Sequence, residues 1–143
     1  MPLHLIKLAV GIETLPDLVA RQAARLAEMA QRGETAELVH ITRNKPRRGA
    51  EVLDGGSLYW VIKGFIVARQ RLTELRPMVR DGSAHCALVY DRELVPVALR
   101  PRRAFQGWRY LEAKDAPPDQ IRQGDGPELP DELKRELSTL GLL

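Results

Sequence analysis

Apolar positions follow different spacings along the first third of the chain. From Leu3 to Val10 they form a short run with branched side chains, which is typical of a strand. From Leu15 to Arg32 they recur every three or four residues and predict an amphipathic helix. Thr14 stands where a helix N-cap belongs, and Gly33 stands where a helix commonly ends. Residues 37–42 then predict a second strand, so the chain opens as a β-α-β unit.

Two consequences follow for this unit and the segment after it. If its two strands pair side by side, they are parallel and the crossover is right-handed. The basic loop 43–49 comes next, and residues 50–53 fit a single helical turn.

The most apolar stretch, residues 54–72, has the sequence DGGSLYWVIKGFIVARQRL and permits two interpretations. One helix would place its apolar residues on a single face, but Gly64 in its interior would cost roughly 1 kcal/mol relative to alanine. Its branched and aromatic content favours strands. We therefore predict a short helix over 57–63, ended by Gly64, and a strand from Phe65 to about Leu75. On that strand four side chains would share a face: Phe65, Val67, Arg69 and Arg71.

The rest of the chain reads as strands joined by turns. Asp81-Gly82 is a hairpin signal, and Pro96 places its strand at a sheet edge or bulge. The predicted strands cover residues 84–90, 94–99 and 105–111. Four successive β segments indicate an antiparallel meander or a small barrel. The predicted fold class is α+β, a β-α-β unit followed by an antiparallel sheet.

Domain organisation follows from length and from proline and glycine content. The 143 residues fit one α+β domain over residues 1–115. Residues 116–143 predict a linker rich in proline and glycine and a terminal amphipathic helix, Pro130–Leu140.

Cys86 is the one cysteine, so an internal disulfide is excluded. We find no signal peptide and no membrane-spanning segment, and expect a cytoplasmic protein.

Charge is unevenly distributed. Residues 40–111 hold fourteen basic and six acidic side chains, a net of +8, against −1 before them and −4 after them. All seven aromatic residues lie in the same block. A basic surface attracts polyanions, and aromatic rings can stack on bases. The alternative is that the aromatics fill the core and the arginines are only solvated.

These observations predict a binding surface for nucleic acid or another anion, with phosphates on arginines and bases stacked on aromatics. The double glycine before residue 57 could also offer main-chain N–H groups to an anion, if a helix starts there. No metal site is predicted, because His4, His40, His85 and Cys86 lack ligand spacing. No cofactor and no catalytic residue are predicted. The candidate residues are Arg43, Arg47, Arg48, Arg69, Arg71, Arg102, Arg103, Tyr59, Trp108 and Arg109 for the surface, and Gly55, Gly56 and Ser57 for the anion turn.

Several segments resemble a bacterial family, domain of unknown function fourteen-eighty-nine, met mainly in proteobacteria. They include GGSLYWVIKG at 55–64 and RAFQGWRYL at 103–111, and the resemblance covers about residues 2–120. It implies a small cytoplasmic protein and assigns no role to any residue. The layout VIKG followed by VARQR is also similar to the PUA-like superfamily, whose members include small RNA-binding barrels.

Three functions therefore stand as expectations. The first is a non-enzymatic binding module for RNA or another polyanion. The second is a small-molecule or phosphoester enzyme with a cleft near Gly55-Gly56, gathering Asp54, His40 and several arginines. The third is a protein-interaction domain that uses the terminal helix. The sequence does not decide the oligomeric state.

Overall fold

Seven strands and two helices make up the part of the chain that the computed structural model describes, residues 2–120. A short 3-10 turn, Ala113–Asp115, follows the last strand. The predicted helix Pro130–Leu140 lies outside the described residues. In chain order the elements are β1 (His4–Leu8), α1 (Leu15–Gln31), β2 (Leu38–Thr42), α2 (Gly49–Leu53), β3 (Ser57–Ile62), β4 (Phe65–Arg80), β5 (Ser83–Tyr90), β6 (Val95–Pro101) and β7 (Trp108–Leu111).

The strands form one mixed sheet in the order β2-β5-β4-β3-β1-β7. β6 pairs with the first half of β4 and continues the line of β5 along the same β4 edge. β1 and β3 are parallel, and the other neighbours are antiparallel. The α+β class with an opening β-α-β unit is confirmed. The sheet is not closed into a barrel, and β7 returns to β1, so the strands do not form a simple meander.

The two strands of the β-α-β unit do not pair with each other. β3, β4 and β5 lie between β1 and β2 in the sheet. The reason is visible in β3, because all six of its side chains are buried. A strand buried on both faces belongs in the middle of a sheet, while the mixed polarity of β2 suits an end position.

The helix α1 follows its prediction closely. The Thr14 hydroxyl accepts a hydrogen bond from the Asp17 main-chain N–H at 3.2 Å. Gly33 takes a φ of 74° just beyond the end of the helix, a conformation that glycine adopts without a steric cost. The short helix α2 also forms where a single turn was predicted.

The central stretch is a β-hairpin, so the predicted helix over 57–63 is wrong. Lys63 and Gly64 join β3 to β4 with φ values of 48° and 82°. Two positive φ values are the signature of the two-residue turn that matches the twist of paired strands. A helix over these residues would also leave one side facing water, whereas β3 is buried throughout.

A bulge in β4 divides the residues that were expected to share a face. Trp60 is paired with Ala68 and Val61 with Ile66, which leaves Val67 as the extra residue. Phe65 and Val67 consequently pack on the helix side of the sheet. Arg69 and Arg71 lie on the opposite face.

The sheet is packed on both faces. The helix-side core contains residues of α1, α2 and most strands, including Leu18, Val52, Trp60, Leu72 and Leu88. The opposite-face core is smaller and consists of Ile6, Tyr59, Val61, Ile66, Val97 and Leu111, with Phe105 and Ala116 packed against it.

Residues 116–120 run alongside β6, where the start of a linker was predicted. The Ala98 N–H donates to the Pro118 carbonyl at 2.8 Å, and the Gln120 N–H donates to the Pro96 carbonyl at 2.9 Å. Pro117 is buried. The packed body therefore extends at least to residue 120, beyond the predicted boundary at 115. Neither helix within residues 2–120 is long and apolar enough to span a membrane.

Candidate nucleic-acid interface

The strand β7 lies at one end of the sheet and carries side chains on both faces. Its pairing with β1 sets Trp108 opposite Lys7, Arg109 opposite Ile6 and Tyr110 opposite Leu5. Since neighbouring residues of a strand alternate between faces, Trp108 and Tyr110 point to the helix side and Arg109 to the opposite side. Two basic loops, residues 43–48 and 102–107, are attached to this short strand.

The first basic loop, residues 43–48, is held on the helix side of β7. The Trp108 indole Nε1–H donates to the Asn44 carbonyl at 2.8 Å, and the Arg48 main-chain N–H donates to the Tyr110 hydroxyl at 3.1 Å. The rings of Trp108 and Tyr110 meet edge to face, with centroids 5.0 Å apart. Pro46 is buried and anchors the middle of the loop. The loop follows β2, so these bonds connect the two ends of the open sheet.

The second basic loop, residues 102–107, surrounds Phe105 on the opposite face. The guanidinium carbons of Arg102 and Arg109 lie 5.3 and 5.6 Å from the centre of the Phe105 ring. Cation–π contacts of this kind orient arginines and leave their charge in solvent. The Arg102 N–H donates to the Gly64 carbonyl at 2.8 Å, which fixes the loop to the central hairpin.

The arginines divide into paired and unpaired groups. Within residues 2–120, six basic side chains on the two loops and β7 form no ion pair, whereas Arg48 contacts both Glu51 and Glu112. The hydrogen bonds that Arg48 donates to Glu51 are the largest cause that raises the pKa of Arg48 above its usual range. Arg48 thus contributes little net charge to the surface. We call the unpaired set, together with Trp108 and Phe105, the β7 basic surface: Arg43, Lys45, Arg47, Arg102, Arg103 and Arg109.

Three other predicted residues lie away from this surface. Arg69 is paired with Asp119 at 2.7 Å, and Arg71 is exposed further along β4. Tyr59 is 4% exposed and contacts His4 edge to face, so its ring is not presented to a base.

Two of the three N–H groups of the double-glycine turn are already bonded within the protein. The Gly56 N–H donates to the Val52 carbonyl at 2.8 Å, and the Ser57 N–H donates to Nδ1 of His4 at 3.0 Å. A strand starts at Ser57, and the expected helix is absent there. Gly56 is required for close packing, because a Cβ there would lie 2.2 Å from the Leu3 and Val52 carbonyl oxygens. The anion turn Gly55-Gly56-Ser57 is therefore a packing feature.

A shallow depression of about 380 Å³ lies beside the first basic loop. The β4–β5 hairpin supplies its apolar wall, and neither Asp54 nor His40, which were expected in an enzyme cleft, lines it. Among residues 2–120, no group of three or more His, Cys, Asp and Glu side chains is arranged to hold a metal ion. Cys86 is buried, and burial raises the pKa of its thiol. The lining residues are Arg43, Lys45, Pro77, Met78, Val79, Ala84 and His85.

Sequence reasoning missed two members of the surface. Phe105 falls in a predicted strand, and the signal that could have marked it is the pair of arginines at 102 and 109 on either side of it. Lys45 lies inside RNKPRR, a segment in which arginine dominates.

The open mixed sheet and the two helices define an α+β domain. The chain belongs to the family described as Protein of unknown function (DUF1489), whose sequence model matches residues 5–143. The match includes residues 130–140, which the sequence resemblance had left outside. Searches of curated proteins and of solved structures give no match.

Proposed function

We propose that this protein is a non-enzymatic binding module for single-stranded RNA or a related polyanion, and that the β7 basic surface is the contact region. One observation carries the proposal. Two basic loops far apart in the sequence meet at one strand, and the loops and the strand together carry six basic side chains that have no acidic partner within residues 2–120. Unpaired arginines and lysines are the main source of affinity for phosphate backbones, and at β7 they come from both faces of the sheet.

Aromatic rings within the surface support a nucleic acid over other polyanions. Trp108 is partly exposed, and its indole is bonded to the Asn44 carbonyl. Asn44 stands between Arg43 and Lys45 in the sequence. Phe105 is partly exposed, and the guanidinium carbons of Arg102 and Arg109 lie 5.3 and 5.6 Å from the centre of its ring. Stacking of a base on such a ring contributes about 1–3 kcal/mol and tolerates any sequence. The expected ligand is therefore a strand with accessible bases.

Two charge-removing variants test the contact region. Replacing Arg102, Arg103 and Arg109 by glutamine, or Arg43, Lys45 and Arg47 by glutamine, should weaken binding of single-stranded RNA at least tenfold in 100 mM salt. A matched control replaces Arg21 and Arg25 of α1 and Arg32, which follows α1, by glutamine. All three side chains are exposed, and the control removes the same charge as each test variant. The control should change affinity less than threefold, because charges beyond about 10 Å are screened at this salt concentration. Equal losses in all three variants would overturn the proposed location.

Tryptophan fluorescence tests stacking directly. The chain has two tryptophans, and Trp60 is 6% exposed, so quenching by bound RNA should come from Trp108. The Trp108→Phe variant should lose the quenching and bind RNA more weakly. Quenching that persists in this variant would show that bases do not stack on Trp108.

A further inference from the structure

Arg69 holds a carboxylate in a partly buried site on the face opposite α1. Its Nε and Nη2 atoms donate to the two carboxylate oxygens of Asp119 at 2.7 and 2.8 Å. Its Nη1 atom donates to the Ser57 hydroxyl at 3.2 Å. A bidentate contact of this type is among the strong and directional hydrogen bonds of proteins. All three side-chain nitrogens of Arg69 thus donate hydrogen bonds within this small site.

Two further polar groups border the same site. His4 is 7% exposed, Tyr59 is 4% exposed, and their rings meet edge to face with centroids 4.9 Å apart. The Ser57 N–H donates to Nδ1 of His4, which places the imidazole proton on Nε2. Burial is the main cause that lowers the pKa of His4, and Arg69 lowers it further, so the ring is neutral near pH 7.

Neither the Nε2–H of His4 nor the Tyr59 hydroxyl has a hydrogen-bond partner within residues 2–120. Among residues 2–120, every side-chain nitrogen or oxygen atom that is shielded from solvent has a hydrogen-bond partner, so these two unpartnered donors reach solvent and are accessible to an external ligand. Arg69 and Asp119 are both close enough to Tyr59 to act on the pKa of its hydroxyl, which burial raises. The donors therefore belong to the same site as the bound carboxylate.

Asp119 reaches this site from a segment that is anchored independently. Main-chain hydrogen bonds at Pro118 and Gln120 hold the segment on β6, and the Asp119 side chain itself is 53% exposed. The carboxylate can leave Arg69 by rotation of its own side chain, without breaking either main-chain bond.

We propose that Arg69, Ser57, His4 and Tyr59 form an oxyanion-binding site, and that Asp119 is an internal occupant that competes with an external carboxylate or phosphate. Each of the four side chains carries a hydrogen-bond donor, and a cluster of donors favours an anionic ligand. The site is distinct from the β7 basic surface and does not depend on the proposed RNA binding. Arg69, Tyr59, Ile6 and Arg109 lie in one row across four strands, so Arg69 and Arg109 are separated by about 14 Å.

The Asp119→Ala variant of the full chain tests the competition. Acetate and inorganic phosphate are titrated separately at constant ionic strength, with chloride as the balancing ion. At least one of them should bind with a dissociation constant ten or more times lower than in the unsubstituted protein. The double variant Asp119→Ala/Arg69→Gln should lose this gain. Nuclear magnetic resonance of the imidazole nitrogens should show His4 responding to the anion while His40 and His85 do not.

A second guanidinium provides the matched control. Arg76 contacts Glu37 at 2.6 Å and Glu74 at 3.0 Å, and its side chain is 42% exposed. The variant Glu37→Ala/Glu74→Ala frees that guanidinium at the surface and should gain no comparable binding. Equal binding in the control would overturn the proposal, because any exposed arginine would then suffice.

The two titrations separate the sources of the anion. A gain for acetate alone assigns the site to carboxylates, and a gain for phosphate alone assigns it to phosphates. No gain for either anion overturns the proposal. If Asp119→Ala does not fold, Asp119→Asn removes the charge with little change in volume and decides in the same way.

Discussion

His40 shows how a single partly buried side chain makes stability depend on pH. Burial is the main cause that lowers its pKa from 6.5 to about 4, and the charges of Lys7 and Arg25 add to the effect. Lys7 belongs to β1 and Arg25 to α1, although β1 and β2 are not paired. β1 and α1 therefore place positive charges near the His40 ring, and these charges favour its neutral form.

The pH dependence has a definite sign. The folded chain binds the His40 proton more weakly than the unfolded chain, so the free energy of unfolding falls as pH decreases from about 6.5 to about 4. The loss attributable to His40 should be about 1–3 kcal/mol, since the side chain is only partly buried. Urea unfolding at several pH values should show a shallower fall for His40→Gln than for the unsubstituted protein. Parallel curves for the two proteins would contradict the shift.

The buried amide of Gln70 connects α1 to the sheet. It accepts from the Trp60 indole at 2.8 Å, exchanges two bonds with the Gln22 amide at 2.8 and 2.9 Å, and donates to the Asp91 carbonyl at 3.0 Å. Gln70 is fully buried and Gln22 is 8% exposed. Removal of one side chain from this network would leave buried polar atoms of its neighbours without a hydrogen-bond partner.

Gln70→Leu should lower the free energy of unfolding by about 3 kcal/mol, because the Trp60 indole and the Gln22 amide would lose their partners inside the core. Gln22→Leu should cost less, since Gln70 keeps its bonds to Trp60 and Asp91. The double variant Gln22→Leu/Gln70→Leu should cost less than the sum of the two single variants. Additive losses in urea unfolding would show that the two amides do not act together.

At the scale of elements, the turn between β3 and β4 carries strain that its sequence does not relieve. Lys63 has a φ of 48°, a conformation that asparagine and glycine tolerate better than lysine. The equivalent position of the β4–β5 turn is Asp81, with a φ of 51°. That residue already suits the conformation.

Lys63→Asn should therefore raise the free energy of unfolding by about 0.5–1 kcal/mol. Lys63→Gln removes the same charge without easing the backbone and should give no gain. Asp81→Asn should change stability by less than about 0.5 kcal/mol. Thermal and urea unfolding of the three variants measure the effect, and a gain in Lys63→Gln would assign it to charge.

The ends of α1 and the two hairpin turns show which local features the sequence pattern predicts. Thr14 and Gly33 marked both ends of α1 correctly, because capping is decided by neighbouring residues. Asp81-Gly82 was recognised as a hairpin signal, whereas Lys63-Gly64 was not, because lysine is uncommon at a positive φ. The central stretch has both helical periodicity and strand-forming composition, and burial on both faces decided for the strand. Burial of that kind depends on partners that are distant in sequence.

At the scale of the whole molecule, the sequence shows a basic and aromatic block, but the division of its residues into ion-paired and other side chains was not predictable. Composition does not show that Arg48 and Arg69 are paired with acids, while Arg102 and Arg109 have no acidic partner in the described residues 2–120. Glu112 and Asp119 come from the acidic end of the sequence and fold back onto specific arginines. Long-range ion pairs of this kind follow from topology, and the β1–β7 pairing was absent from the sequence prediction.

The salt dependence of RNA binding should reflect the number of basic side chains that have no acidic partner within residues 2–120 and that contact phosphates. If all six basic side chains of the β7 basic surface contact phosphates of a single strand, the logarithm of the binding constant should fall with the logarithm of salt concentration with a slope of about −4. Arg109→Gln should reduce that slope by about 0.7, because one phosphate contact is lost.

The paired arginines provide the contrast for this measurement. Arg48→Gln and Arg76→Gln remove the same charge from side chains that acidic partners already neutralise, so they should leave the slope nearly unchanged. Filter-binding titrations between 50 and 200 mM salt give the slope for each variant. If the slope decreased equally for Arg109→Gln and Arg76→Gln, RNA would respond to total charge and not to the surface formed around β7. A slope near zero for the unsubstituted protein would exclude phosphate contacts altogether, because release of counterions accompanies each of them.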